Sequence, residues 1–207
     1  LSENSYYSIA AFYSIASGNM IAIPLDPKLP KEDLVDLMVR SGCDAIYYTR
    51  DFAPAIQLMK ENPDVKLSFY LKLEDFDELV KMGHDELDNG AKNYLDDVVK
   101  PDDLGFIVYT SGTTGKSKGV MLSQHNICFV VMSNSSVADI HPGDVHLSIL
   151  PIYHTFECSL DIVAPLYNGC CIAFNDSLLH LMRNFQEVKP TVLMTVPLML
   201  EKFHGKI

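Results

Sequence analysis

Short apolar runs alternate with longer amphipathic stretches along this chain, and no other feature constrains the fold as strongly. The runs Met20–Pro24, Ala45–Thr49, Leu104–Tyr109, Gly119–Leu122, Val145–Leu150, Cys170–Phe174 and Thr191–Val196 have strand length and strand-like composition, and another strand is expected near Val65–Leu73. Between them, Ser5–Ser17, Lys31–Ser41, Ser123–Ser136 and Leu178–Val188 read as helices, with others expected from Phe52 to Lys60, Cys158 to Tyr167 and Pro197 onward. Gly18 and Gly42 are placed as helix stops, Pro30 at a first turn and Ser123 as an N-cap. Repeated strand–helix–strand order predicts an α/β fold, a largely parallel sheet flanked by helices.

Composition narrows the setting. With 207 residues and 48% hydrophobic content, residues 1–207 can bury a substantial core and read as one domain. A formal net charge of −11 argues against a nucleic-acid partner, because phosphate backbones are held by Lys/Arg clusters. The cysteines at 43, 128, 158, 170 and 171 are odd in number, form no C-x-x-C pair and lie mostly in apolar runs, so buried free thiols in a reducing compartment are expected. No apolar segment reaches the about 18 residues of a membrane span, and the first residues do not have the pattern of a secretory signal. The default expectation is a soluble cytoplasmic protein with no integral membrane segment. The carboxylates Asp85, Glu86, Asp88, Asp96 and Asp97 fit no calcium-loop spacing, and His84–Asp97 reads as a solvated helix or linker.

The chemistry is concentrated in Tyr109-Thr110-Ser111-Gly112-Thr113-Thr114-Gly115-Lys116-Ser117-Lys118-Gly119, where an apolar strand ends. Hydroxyls of Thr110, Ser111, Thr113 and Thr114 can donate hydrogen bonds, Gly112 and Gly115 admit a ligand close to the backbone, and Lys116 and Lys118 supply positive charge. A polyphosphate suits such a loop. Gly115-Lys116-Ser117 meets the end of the Walker A pattern, but Thr110 stands where its first glycine belongs, and Gly119-Val120-Met121-Leu122 reads as a strand where a Walker lysine should open a helix. From the residues alone, an ATP-hydrolysing phosphate loop, a non-catalytic nucleotide-binding module and a ligand-free structural loop all stay open.

Strand, Thr/Ser/Gly-rich loop, strand and helix together resemble the phosphate-binding motif of the adenylate-forming (AMP-binding) superfamily, in its acyl-CoA synthetase branch. Tyr109 to Val120 follows the pattern [YF]-T-S-G-[ST]-T-G-x-P-K-G-V except at Ser117, where proline is usual. Gly18 to Pro27, Pro101-Asp102-Asp103-Leu104 and Lys189-Pro190-Thr191 through Pro197 resemble further family segments. Leu122-Ser123-Gln124-His125-Asn126 is similar to L-[ST]-H-x-N, but with Gln124 in the place of the histidine, so neither Gln124 nor His125 is given a role. Leu150-Pro151-Ile152-Tyr153-His154-Thr155-Phe156-Glu157 resembles L-P-x-[FY]-H-x-x-G, with Glu157 replacing the glycine.

The resemblance implies ATP-dependent activation of a carboxylic acid, a fatty acid by preference, as an acyl-adenylate, followed by transfer to coenzyme A. It implies that Thr110, Ser111, Gly112, Thr113, Thr114, Gly115, Lys116 and Lys118 bind ATP, that Lys116 is catalytic, that Thr110 takes part in Mg2+ coordination and that His154 serves the acyl carboxylate. A lone histidine is otherwise more often a surface or core residue. The resemblance also implies an incomplete AMP-binding domain in 1–207, inactive by itself, with the adenine and ribose motifs and a lysine-bearing C-terminal domain expected outside these residues.

Overall fold

The computed structural model describes residues 1–110 and 117–204, with side-chain surroundings through Glu201. Its internal contacts divide the chain into two units, Leu1–Met121 and Leu122–Ile207.

In the first unit, Ser5 caps helix α1 (Tyr6–Ala16) through a reciprocal box: its hydroxyl accepts from the Ser8 N–H, and the Ser8 hydroxyl accepts from the Ser5 N–H. Helix α2 (Lys31–Ser41) follows Pro30, carries Glu32 and Asp33 in its first turn and Arg40 in its last, and stops at Gly42 with φ of 63°. Those charges complement the helix dipole, and the left-handed stop is a conformation glycine adopts without steric cost. Strand β1 (Ala45–Tyr48) runs parallel to β2 (Phe69–Lys72), with Ala45 opposite Phe69, and helix α3 (Ala53–Glu61) makes the crossover. Leu34, Leu37 and Met38 of α2 pack with Ile46 and Tyr48 of β1 and Ala55, Ile56 and Met59 of α3. Full burial of each large apolar side chain stabilises by roughly 1.5–3 kcal/mol. Tyr109, near the end of strand β3 (Leu104–Thr110), packs against this cluster and so ties the start of the Ser/Thr/Gly loop to the core.

Strand β3 neighbours β4 (Lys118–Ser123). The strand expected at Met20–Pro24 is reduced to one parallel bridge: the Ala22 N–H donates to Gly105, and the Ile107 N–H donates to Ala22. Pro24 has no N–H with which to extend the ladder. Helix α4 (Phe76–Asp88) buries no residue, and its last turn opens the stretch expected as solvated helix or linker; the short helix α5 (Asn93–Asp96) docks on α1 by a hydrogen bond from the Tyr94 hydroxyl to the Ser14 carbonyl.

The second unit opens on helix α6 (Gln124–Val137), whose first turn is closed by Ser123 and Asn126 in another capping box. Strand β5 (Val145–Ser148) pairs in parallel with β6 (Cys171–Phe174), Val145 lying opposite Cys171. Residues His141–Asp144 form the turn before β5: the Asp144 carboxylate accepts from the His141 N–H, the Asp144 N–H donates to the His141 carbonyl, and Gly143 has φ of 93°. The strand expected at Thr191–Val196 is one bridge, His146 to Val192, because prolines bound the segment on both sides. Helices α9 (Leu181–Val188) and α10 (Pro197–His204) follow, and Leu147 of β5 packs with Leu181 and Met199. The parallel pairs with flanking helices bear out the α/β expectation.

The continuous helix expected from Cys158 to Tyr167 is broken. Helix α7 (Thr155–Glu157) passes into a π-helical turn, Cys158–Val163, and then into α8 (Ala164–Tyr167). Pro165 lacks an N–H, and its ring would clash with the carbonyl four residues back. The wider turn, in which the Ala164 N–H donates to Ser159, relieves that clash. Cysteine burial is also mixed. All five thiols are free, but Cys128 and Cys171 are exposed and Cys43 is half-buried, which corrects the expectation of uniformly buried thiols.

Candidate active site

In the first unit, Thr110 is the exposed last residue of β3 and Lys118 the exposed first residue of β4. These neighbouring strands therefore present a hydroxyl and an ammonium on the two sides of the loop. Ser111, Gly112, Thr113, Thr114, Gly115 and Lys116 lie outside the described residues. Gly119 keeps the strands close: a Cβ there would meet the Ile107 Cγ2 at 3.0 Å and the Tyr109 ring at 3.4 Å. A larger residue would push apart the two strands that frame the loop.

Arg40 joins this frame, and sequence reading missed it. Its guanidinium donates to the Ser117 carbonyl at 2.8 Å, pairs with Asp36 at 2.8 Å and lies 5.6 Å from the centre of the Tyr109 ring. Burial raises the Tyr109 phenol above its usual range, with Arg40 acting in the opposite sense. The last turn of α2 thus grips both flanks of the loop. Nothing in local spacing identifies Arg40, since its partner Ser117 is 77 residues away. Hydroxyl, ammonium and close-approach glycine fit the anionic phosphates of a nucleotide. In the full-length protein, Arg40→Ala is expected to raise the KM for Mg-ATP by about two- to fivefold, the range of a partly exposed charged contact. Steady-state kinetics at saturating acid would show it, and an unchanged KM would remove Arg40 from the frame.

In the second unit, His154 is exposed on the connection between β5 and α7. Its N–H donates to the Pro151 carbonyl, its carbonyl accepts from the Cys158 N–H, and its ring centre lies 4.6 Å from that of the largely buried Tyr153. Just after it, Glu157 is fully buried, as are Asp161 and His146. The Ser148 hydroxyl donates to Glu157 Oε1 at 2.5 Å, the Leu150 backbone N–H donates to the same carboxyl group, and His146 Nδ1–H donates to Asp161 Oδ1 at 2.7 Å. Burial, then the neighbouring Asp161 charge, pushes the Glu157 carboxyl well up. Burial also raises Asp161, with His146 opposing it. The Cys158 thiol, pushed up to about 12 by burial and then by Glu157, is unreactive.

A family model described as AMP-binding enzyme matches residues 1–205. The chain belongs to that family. Among relatives of this AMP-binding enzyme chain, fatty acyl-CoA synthetase A of Dictyostelium discoideum is 37% identical over 150 residues, 72% of this chain and 20% of that protein. Human long-chain-fatty-acid–CoA ligase ACSBG1 is 35% identical over 160 residues, 74% of this chain and 22% of that protein. The chain spans about a fifth of the length of these curated relatives. The N-terminal domain of FACL13 from Mycobacterium tuberculosis matches with a TM-score of 0.80 and 20% identity, over 97% of this chain and 49% of that one. ATP-bound MatB from Rhodopseudomonas palustris matches with a TM-score of 0.74 and 23% identity, over 95% and 38%. At those identities the structures establish the shared fold. AMP-binding membership confirms the family resemblance read from Tyr109 to Val120. No described helix is long and apolar enough to cross a membrane.

Proposed function

We propose that this chain carries the ATP-handling strand–loop–strand and an acyl-side histidine of a fatty acyl-CoA synthetase. The full-length enzyme would activate a fatty acid as its acyl-adenylate with release of pyrophosphate and pass the acyl group to coenzyme A. The carrying observation is that β4, rather than a helix, follows the Ser/Thr/Gly loop in a chain of the AMP-binding family. The relatives named as fatty acyl-CoA synthetase and long-chain-fatty-acid–CoA ligase support a long-chain acid.

In such a reaction a carboxylate oxygen attacks the α-phosphorus of ATP and pyrophosphate departs, so the protein contributes alignment and stabilisation of developing negative charge. Lys116 takes the charge on the β- and γ-phosphates, the hydroxyls and backbone N–H groups of Ser111 to Gly115 orient them, and Lys118 adds local positive charge. Thr110 is the residue to hold Mg2+, which when bound neutralises phosphate charge. His154 holds the acyl carboxylate. The free thiols support a reducing, cytoplasmic setting, and the net charge of −11 favours small molecules over nucleic acid as partners.

The test is carboxylate-dependent exchange of labelled pyrophosphate into ATP by the full-length protein, across short, medium and long fatty acids, aromatic acids and amino acids. Exchange is expected with long-chain fatty acids. Exchange with amino acids alone, or steady phosphate release that needs no acid, would overturn the assignment.

A further inference from the structure

Glu157 sits on the far side of the loop that carries His154 and reaches back to its near side. Ser148 and Leu150 precede His154, yet the Ser148 hydroxyl and the Leu150 N–H both donate to the Glu157 carboxyl. One carboxyl therefore closes the loop at its base. A turn later, Asp161 accepts from His146, making a second cross-link between the same two elements. The pattern is regular: His146 and Ser148, two apart on β5, share one face of the strand, while Glu157 and Asp161, four apart, share one face of the helical segment. All four side chains are buried, and their arrangement is not that of a metal site.

Two carboxyls packed together raise a proton question. Glu157 Oε2 and Asp161 Oδ2 meet no donor among the described residues, although the two groups lie within hydrogen-bonding reach of each other. A single proton held by Glu157 and shared with Asp161 joins the two carboxyl groups. Asp161 is the natural acceptor because it already receives the His146 N–H. Cys158 is the other titratable side chain against Glu157. Helix α6, packed on the π-helical turn, carries only His125 and Cys128 as titratable groups, both on exposed residues.

We propose that His146, Ser148, Glu157 and Asp161 form a buried clasp that fixes the loop bearing His154, which makes Glu157 and Asp161 positioning residues for acid activation. The inference rests on the acyl-activating reading of His154. Glutamate stands here where the family pattern L-P-x-[FY]-H-x-x-G has glycine, and it is this side chain that reaches back to β5. A one-turn shift of the loop would move the His154 ring by several ångströms, and misplacement of about 1 Å can cost 10²-fold in rate.

The test is a double-mutant cycle in the full-length enzyme, read as kcat/KM for a long-chain fatty acid in pyrophosphate exchange, with KM for ATP and thermal unfolding followed in parallel. Glu157→Ala and His154→Ala are each expected to lower kcat/KM for the acid by about tenfold or more and to leave KM for ATP within about twofold. Together they should cost no more than the worse single change, because the clasp acts through His154. Glu157→Gln, whose amide can accept from Ser148 and donate to Asp161, should restore most of what alanine loses. Ser148→Ala removes one hydroxyl and provides a milder variant should Glu157→Ala fold poorly; it should lower kcat/KM for the acid in the same selective way.

Multiplicative losses in the cycle would overturn the clasp as a device acting on His154. So would a Glu157→Gln enzyme as impaired as Glu157→Ala, which would mean that Glu157 works as an ionised carboxylate. If His154→Ala by itself leaves acid-dependent exchange unchanged, the histidine reading fails first, whatever Glu157 does, and the clasp as a positioning device fails with it.

Discussion

Lys116→Ala in the full-length protein is expected to lower carboxylate-dependent pyrophosphate exchange by about 10²- to 10³-fold, the usual cost of removing one preorganised charge-stabilising donor. Negative charge builds on the departing pyrophosphate, so a cation aimed there acts more strongly in the transition state than in the bound complex. Lys118 and Arg40 flank the loop, but Lys118 is exposed to solvent and Arg40 is engaged by Asp36 and the Ser117 carbonyl. Lys118, proposed to add charge beside the same phosphates, should offset only part of the loss. Lys116→Arg should recover little, since a planar, delocalised guanidinium does not reproduce the compact point charge of an ammonium. The loss should appear in kcat, with a smaller rise in KM for ATP. A kcat within about threefold of the unmodified enzyme would show that Lys116 contributes to ground-state binding at most.

Where local chemistry determines structure, the sequence was legible. Pro30 and Gly42 bracket α2, and Ser123 starts α6 at the residue expected of it. Tyr109 to Val120 could be read because the motif is continuous in the chain, and β4 settles the choice between a following strand and a following helix. Failures occurred where distant residues decide. Arg40 meets Ser117 only after α2 folds onto the core, and the edge segments around Ala22 and Val192 make one bridge each because prolines limit their ladders.

The buried clasp was half visible. Glu157 and Asp161 interrupt an otherwise apolar stretch at a four-residue interval, and His146 and Ser148 interrupt a strand at a two-residue interval. Each pair alone reads as a polar edge. Facing one another they need burial and partners, and only tertiary pairing supplies that information. Pro165 was the missed local signal: a proline inside an expected helix should have marked the π-helical turn that carries Asp161.

Asp161→Ala is expected to be the most destabilising change in the second unit, at about 3 kcal/mol and an apparent Tm lower by about 5–10 °C at neutral pH. It leaves the buried His146 N–H without an acceptor and the Glu157 proton without its recipient. The pH dependence carries a definite sign. The Glu157 carboxyl is raised from 4.5 to about 8 in the folded chain, so the folded state holds this proton more tightly than the unfolded one. Its stabilising contribution is complete below about pH 4.5 and is lost as pH rises toward and through about 8. The Tm of the unmodified protein should therefore fall between pH 6 and about 9, and Glu157→Gln, which has nothing to lose in that window, should flatten the fall. Parallel Tm curves for the two proteins would mean that Glu157 carries no proton in the folded state. Buried polar pairs can often be replaced by apolar residues of similar size without loss of stability. A His146→Leu, Asp161→Leu double variant should accordingly regain much of the Tm lost by Asp161→Ala. If it regains Tm while acid-dependent exchange stays low, placement of His154 is what the clasp provides. Recovery of both together would reduce it to one means among several of filling the space beneath the loop.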